Sequence, residues 1–353
     1  MLETIISFLP LVFIYYVGTI SKNIYKLHKN FKVDPNFKIQ LSPELKKINI
    51  NKQKLKKEYT NKTLTKFYNK IEESFPNDFL TLYYNNKNNL KLLESTTLMT
   101  IMQSVIPGVL GFYGGKLNII CLFGRKVAKR LPERIPYHEL FHMSSCFYDR
   151  DKKIILCGFA QHNKSKKIGI SLNEGYTEVM TMRYFNNSDD KQKISYPYEL
   201  SRNISLLIEK IIGQENMEKL YMTANLNCLV EKLSIYDTKE NAIGFIQNTD
   251  YIHEYNIKSN YFSNLYHNVF APEFMIKEKL KSIQMYLISC YINKIKIEFN
   301  ESKITKEEFK KKYINYIEYL IKSFYIKGEN LNQIDSNEIL DFINQYSINI
   351  KTI

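Results

Sequence analysis

Two histidines four residues apart constrain this chain more than any other feature of it. His138 and His142 lie in the segment Pro136-Tyr137-His138-Glu139-Leu140-Phe141-His142-Met143. On an α-helix, positions i and i+4 share a face, with Cβ atoms about 5–6 Å apart. Both imidazoles can therefore reach one tetrahedral metal ion. Leu140, Phe141 and Met143 are uncharged, as a helix buried on several sides requires. Pro136 suits the first turn of such a helix. Glu139 points to the flank of the pair, badly placed to ligate and well placed to take a proton from a water beside the ion. The chain has only 6 His among 353 residues, so the spacing is informative. The bland alternative is a pair of hydrogen-bonded core histidines.

A second segment, Ser171-Leu172-Asn173-Glu174-Gly175-Tyr176-Thr177-Glu178, supplies two carboxylates one helical turn apart. A catalytic zinc takes three protein ligands and keeps one position open. A carboxylate from a second helix completes the set. Another, one turn on, can hold the far N–H of a ligating histidine and fix its tautomer. Alone, such acidic residues would read as charges favoured by a helix N-terminus.

HELFH followed by LNEGYTE resembles the active-site pattern of the gluzincin metallopeptidases, which include the thermolysin-like peptidases and related aminopeptidases. The resemblance covers about residues 115–185. It implies zinc held by His138, His142 and Glu174, Glu139 as the base, Asn173 and Glu178 behind the ligands, and a peptide or protein substrate. Glu174 is preferred to Glu178 as ligand because it follows Asn173 directly, as in the family pattern, and adjoins Gly175, where the backbone can pack closely against the metal helix. The stretch from His142 to Glu174 exceeds the usual gluzincin gap by about a dozen residues, a length that a hairpin near 152–171 would absorb. No exopeptidase motif of the Gly-Ala-Met-Glu-Asn type is visible, so endo- and exopeptidase remain alternatives. The resemblance also implies a strand edge for substrate, expected at Asn118–Leu122, with an ordinary buried strand as the alternative. It implies an oxyanion donor too, for which His162, His253, His267, Tyr148 and Tyr251 are the candidates.

The fold class expected is α+β: a small mixed sheet with active-site helices of zincin type, a mainly helical C-terminal half and an N-terminal membrane helix. Residues 1–21, almost wholly apolar from Ile5 to Ile20, read as a membrane anchor. A basic tether follows over 22–57, then an α+β core over 58–190 and a helical domain over 191–353. Lysines crowd the C-terminal flank of the apolar run and none precede it, which orients the catalytic part toward the cytoplasm, with an outward-facing enzyme as the alternative.

Within this frame, helices are expected near 58–74 and 89–105, a strand at Leu117–Phe123, and strands at 152–160 and 167–171. From about 172 the pattern is helical, with capping boxes at Thr305/Glu308 and Asp335/Glu338. The formal net charge is +14, but the lysines are dispersed and form no nucleic-acid motif, so no nucleic-acid partner is expected. Five scattered cysteines form neither a zinc knuckle nor a disulfide framework. The rival to an enzyme is a catalytically inactive, membrane-tethered helical interaction protein on a zincin-like scaffold.

Overall fold

The computed structural model describes residues 62–95, 111–123, 134–163, 166–185, 196–269, 273–326 and 328–335, together with Asn337. The anchor expected over 1–21, the tether over 22–57 and the box residue Glu338 lie outside them. No helix among the described residues is long and apolar enough to cross a membrane.

The architecture is mixed α+β, with helices predominating over small sheets. Helices α1 (Lys62–Ser74) and α2 (Thr81–Lys87) flank a 3-10 turn at Asn77–Phe79. The α1 stop follows from Pro76, which disfavours helical backbone in the residue before it. Strands β1 (Lys91–Ser95), β2 (Gly111–Gly114) and β3 (Ile119–Phe123) form a mixed sheet in the order β1-β3-β2. Here β1 runs parallel to β3 and β2 antiparallel to it. The helix expected from 89 is thus a strand where it begins. Lys91–Ser95 gains a ladder against β3, and tertiary pairing outweighs a weak local helix preference. β3 starts later than expected because Asn118 turns the chain at a positive φ of 48°, leaving Leu117 outside the strand.

Helix α3 (Arg134–Ser144) carries the histidines and is followed by an antiparallel meander of β4 (Cys146–Asp149), β5 (Ile154–Cys157), β6 (Ala160–Asn163) and β7 (Lys166–Ile168). The expected two-stranded hairpin is thus four-stranded. Gly158, at φ 52°, breaks the first expected strand into β5 and β6. The second ends early because α4 (Ile170–Phe185) starts at Ile170. Its start is fixed from far along the chain. The Asp250 carboxylate accepts from the backbone N–H of Gly169 at 2.6 Å and of Ser171 at 2.8 Å. These contacts satisfy N–H groups that open a helix; burial pushes the Asp250 pKa up to about 7 against the pull of the same N–H groups.

The remainder is helical: α5 (Tyr196–Ile212), α6 (Gln214–Met222), α7 (Leu226–Leu233), α8 (Lys239–Val269), α9 (Glu273–Asn300) and α10 (Lys306–Ser323). The Thr305/Glu308 capping box is formed at the start of α10. A short hairpin of β8 (Tyr325–Ile326) and β9 (Glu329–Asn330) interrupts the expected helical run. All five cysteines are free thiols, four of them buried.

One cluster of buried apolar side chains runs from Leu64 to Ile334, through both the α+β segment and the helices that follow. Its aromatic centre seats α3. Phe67 of α1 packs edge-on against Phe141 at 5.2 Å between ring centroids, and Tyr137 stacks on Phe185 of α4 at 4.2 Å. Tyr137 and Phe141 are themselves i and i+4, so one face of α3 is held by rings while the adjoining face presents the histidines. The C-terminal carbonyls of α3 are also satisfied. The Asn86 amide donates to Met143 at 2.8 Å and Cys146 at 2.6 Å, and Ser144 and Ser145 donate to carbonyls one turn back.

Gly175 permits a close approach, but its neighbour is not the metal helix. A Cβ there would lie 2.2 Å from the Ser201 carbonyl oxygen of α5. The absent side chain therefore lets α4 lie backbone-to-backbone on α5. Gly175→Ala should cost about 1–3 kcal/mol by overpacking, read as a lower urea midpoint at unchanged slope. An unchanged midpoint would mean that α4 and α5 separate without penalty.

Candidate metal centre

Helices α3 and α4 lie against each other where both turn polar residues inward. His138 and His142 come from one, Glu174 and Glu178 from the other. His138 Nε2 lies 3.0 Å from His142 Nε2 and 3.2 Å from Glu174 Oε2. His142 Nε2 is 3.4 Å from the same carboxylate oxygen. These three residues form a group whose ligand atoms all lie within 4.8 Å of one another and could hold a metal ion. The donor set fits such an ion. Two imidazole nitrogens and a carboxylate oxygen aim at one point, and a single proton cannot satisfy three converging lone pairs. Nitrogen and carboxylate ligands of this number suit a divalent transition metal with one position left open. The Glu174 side chain keeps 21% of its surface exposed, against 10% for His138 and 8% for His142, so the cluster opens to solvent on the carboxylate side.

The charges are mutually adjusted. Burial pushes the Glu174 carboxyl up, but the His142 and His138 imidazoles beside it prevail and hold it well below the usual carboxylate range. For His138, burial favours the neutral ring, yet hydrogen bonds to Glu174 and Glu178 raise its pKa well above the ordinary value. Burial raises the Glu139 carboxyl against the pull of the two imidazoles. Glu139 is 7% exposed, and the backbone N–H of Tyr113 in β2 donates to it.

Behind the ligand atoms, each imidazole is held by its other nitrogen. Glu178 Oε1 sits 3.2 Å from His138 Nδ1, the geometry in which a carboxylate fixes a tautomer and aims Nε2 outward. His142 Nδ1 faces Asn173 at 3.2 Å, with Thr177 Oγ1 at 3.4 Å and Cys157 Sγ at 3.9 Å. Asn173 Nδ2 faces that nitrogen and its Oδ1 is left without a partner; the same amide turned end for end would put the oxygen on the Nδ1–H of His142. Thr177 is pinned in turn by the Asn173 carbonyl and the Tyr221 hydroxyl, each at 2.6 Å.

Thr177, Tyr221 and Cys157 carry no spacing signal in the sequence. Tyr198, near the start of α5, has none either. Its ring packs edge-on against His138 at 5.9 Å and against His253 at 5.7 Å between centroids. Among the oxyanion candidates, His253 is buried behind Tyr198, with Nδ1 2.9 Å from Ser201 Oγ. His162 is within electrostatic reach of Glu174, and burial, helped by Lys167, pushes its pKa down to about 4. Tyr148 lies on β4, Tyr251 is buried beneath the Lys279 ammonium 4.7 Å from its ring, and the side chain of His267 is outside the described residues.

The strand expected to offer its edge does not. β3 is paired on both sides, by β1 and β2. β2 is paired by β3 alone among the described residues and lies against α3. The Tyr113 N–H that meets Glu139 shows that the outer side of β2 faces the centre.

No family model, curated protein or solved structure matches the chain.

The two carboxylates of α4 should differ in kind when removed. Glu174→Ala loses a ligand atom and should leave the metal weakly held. Glu178→Ala should keep it, with affinity lowered by about 10–100-fold. Titration with zinc against a competing chelator distinguishes them. Loss of metal from Glu178→Ala with retention by Glu174→Ala would reverse the assignment.

Proposed function

We propose that this chain is a zinc-dependent peptidase of the gluzincin kind. The observation that carries the reading is the convergence of His138, His142 and Glu174 with Glu139 buried alongside and Glu178 behind. Zinc, when bound, supplies a Lewis acid that polarises the scissile carbonyl and lowers the pKa of water. Glu139, on the flank of the ligand pair, accepts the proton of the attacking water and returns it to the leaving nitrogen. The Tyr113 N–H keeps the Glu139 carboxylate aimed. The rest of the outer edge of β2, beyond the Tyr113 N–H that Glu139 occupies, offers backbone groups to an extended peptide, which it binds by strand addition. Tyr198, whose ring packs edge-on against both His138 and His253, is the side chain assigned to the developing oxyanion. Asn173 and Glu178 keep both imidazoles in the tautomer that leaves Nε2 available.

Two measurements on the full chain test this. Elemental analysis should find about one zinc per chain. Glu139→Gln should keep the zinc and lose about 10²–10⁴-fold in peptide hydrolysis. A folded protein that takes up no zinc would end the proposal. A zinc-loaded protein that cleaves no peptide is the result expected of a scaffold that keeps the site without the reaction.

A further inference from the structure

The meander presents one face to the metal centre, and the strand register fixes what stands on it. Cys146 pairs with Cys157, and Cys157 pairs with Ala160. Cys157 touches His142, so this rung lies directly behind a ligand. The next rung on the same face runs Tyr148, Ile155, His162, Lys167 across all four strands. Rungs on one face are about 7 Å apart, two residues of strand.

The two ends of the second rung differ. A Cβ built on Gly115, in the turn between β2 and β3, would touch Cys146 Sγ at 2.6 Å and Ile155 Cγ2 at 3.3 Å. The turn therefore covers the Ile155 side. His162 is half-buried and Lys167 is exposed. Lys167 forms no ion pair among the described residues. Lys167 is the register partner of His162 on β7, and the charges of both Glu174 and Lys167 act on the His162 ring. His162 and Lys167 thus stand side by side, one rung beyond Cys157 and within electrostatic reach of Glu174, and burial keeps the His162 ring a neutral N–H donor at physiological pH.

We propose that His162 and Lys167 form a substrate subsite for a carboxylate lying within a few residues of the scissile bond. Its chemistry is an N–H donor set below a cation on a flexible stem, which suits a solvated anionic group rather than an apolar side chain. Two sources present that group: an acidic side chain, or the C-terminal carboxylate of a short peptide. The subsite rests on the peptidase reading, since it needs a peptide across Glu139.

The test uses the full zinc-loaded chain carrying Glu139→Gln, so that peptides bind without being cut, with and without Lys167→Glu. Fluorescent peptides of one core sequence are compared by anisotropy: neutral and amidated, Glu-bearing and amidated, and neutral with a free C-terminus. Unchanged zinc content controls for folding. Lys167→Glu should weaken binding of a carboxylate-bearing peptide by about three- to ten-fold, the scale of an exposed charge pair and its reversal, and leave the neutral peptide within about two-fold. Loss confined to the Glu peptide identifies the side chain as the source. Loss confined to the free C-terminus identifies the terminal carboxylate. Equal binding of all three peptides with and without the substitution overturns the subsite and leaves the peptidase reading intact. Failure of the Glu139→Gln parent to bind any peptide, with no hydrolysis by the unmodified chain, overturns both.

Discussion

Two helices cross with their polar residues turned inward, and much of the fold is arranged to make that tolerable. Buried polar groups destabilise a fold unless each finds a partner. At the crossing of α3 and α4 the partners are each other: Glu178 for one imidazole, Asn173 and Thr177 for the other, and Glu174 between the two Nε2 atoms. What these contacts leave over is a set of ligand atoms within 4.8 Å of one another that could hold a metal ion. Rings support the crossing on one side through Phe67, Tyr137, Phe141 and Phe185. On the other side, Gly175 lets the backbone of α5 come close and Gly158 makes room for the side chains of Asn173 and Tyr221. A Cβ on Gly158 would lie 2.3 Å from Asn173 Oδ1, so the tip of the β5–β6 hairpin presses on the residue that orients His142.

The metal-ligand face of α3 was legible in the sequence because helical periodicity is local. His138, Glu139 and His142 need only 3.6 residues per turn to be placed. Glu174 and Glu178 came from the resemblance, and the structure brings both to the histidines. What was illegible depends on residues distant in sequence. Thr177 and Tyr221 are 44 residues apart and meet over His142 Nδ1. Tyr198 reaches His138 because α5 lies on α4, which rests on the missing side chain of Gly175. That glycine was correctly singled out and assigned to the wrong neighbour, since a sequence shows where a backbone can be approached and not by what.

The same limit explains the strands. Lys91–Ser95 carries good helix formers and is a strand because β3 offers it a ladder. Leu117–Phe123 looks like a buried strand and is one over most of its length, but its place in the middle of the sheet depends on β1 and β2. The edge therefore passes to Gly111–Gly114, a stretch whose two glycines read more readily as a loop. The meander was half visible: a hairpin near 152–171 was apparent, whereas the tight turn at Gly158 hid two strands in one apolar run.

Asp250 has a consequence for the order in which the molecule is made. Every candidate ligand lies between positions 138 and 174, yet the N–H groups that open α4 are held by a carboxylate some 80 residues later in the chain, at separations of 81 and 79. A loop of that size must close before the interaction is gained, at an entropic cost that rises only slowly with length. On a ribosome the histidines and both glutamates emerge well before the residue that fixes the helix presenting two of them. The start of the helix that carries Glu174 and Glu178 is therefore held only once the segment bearing Asp250 has been made.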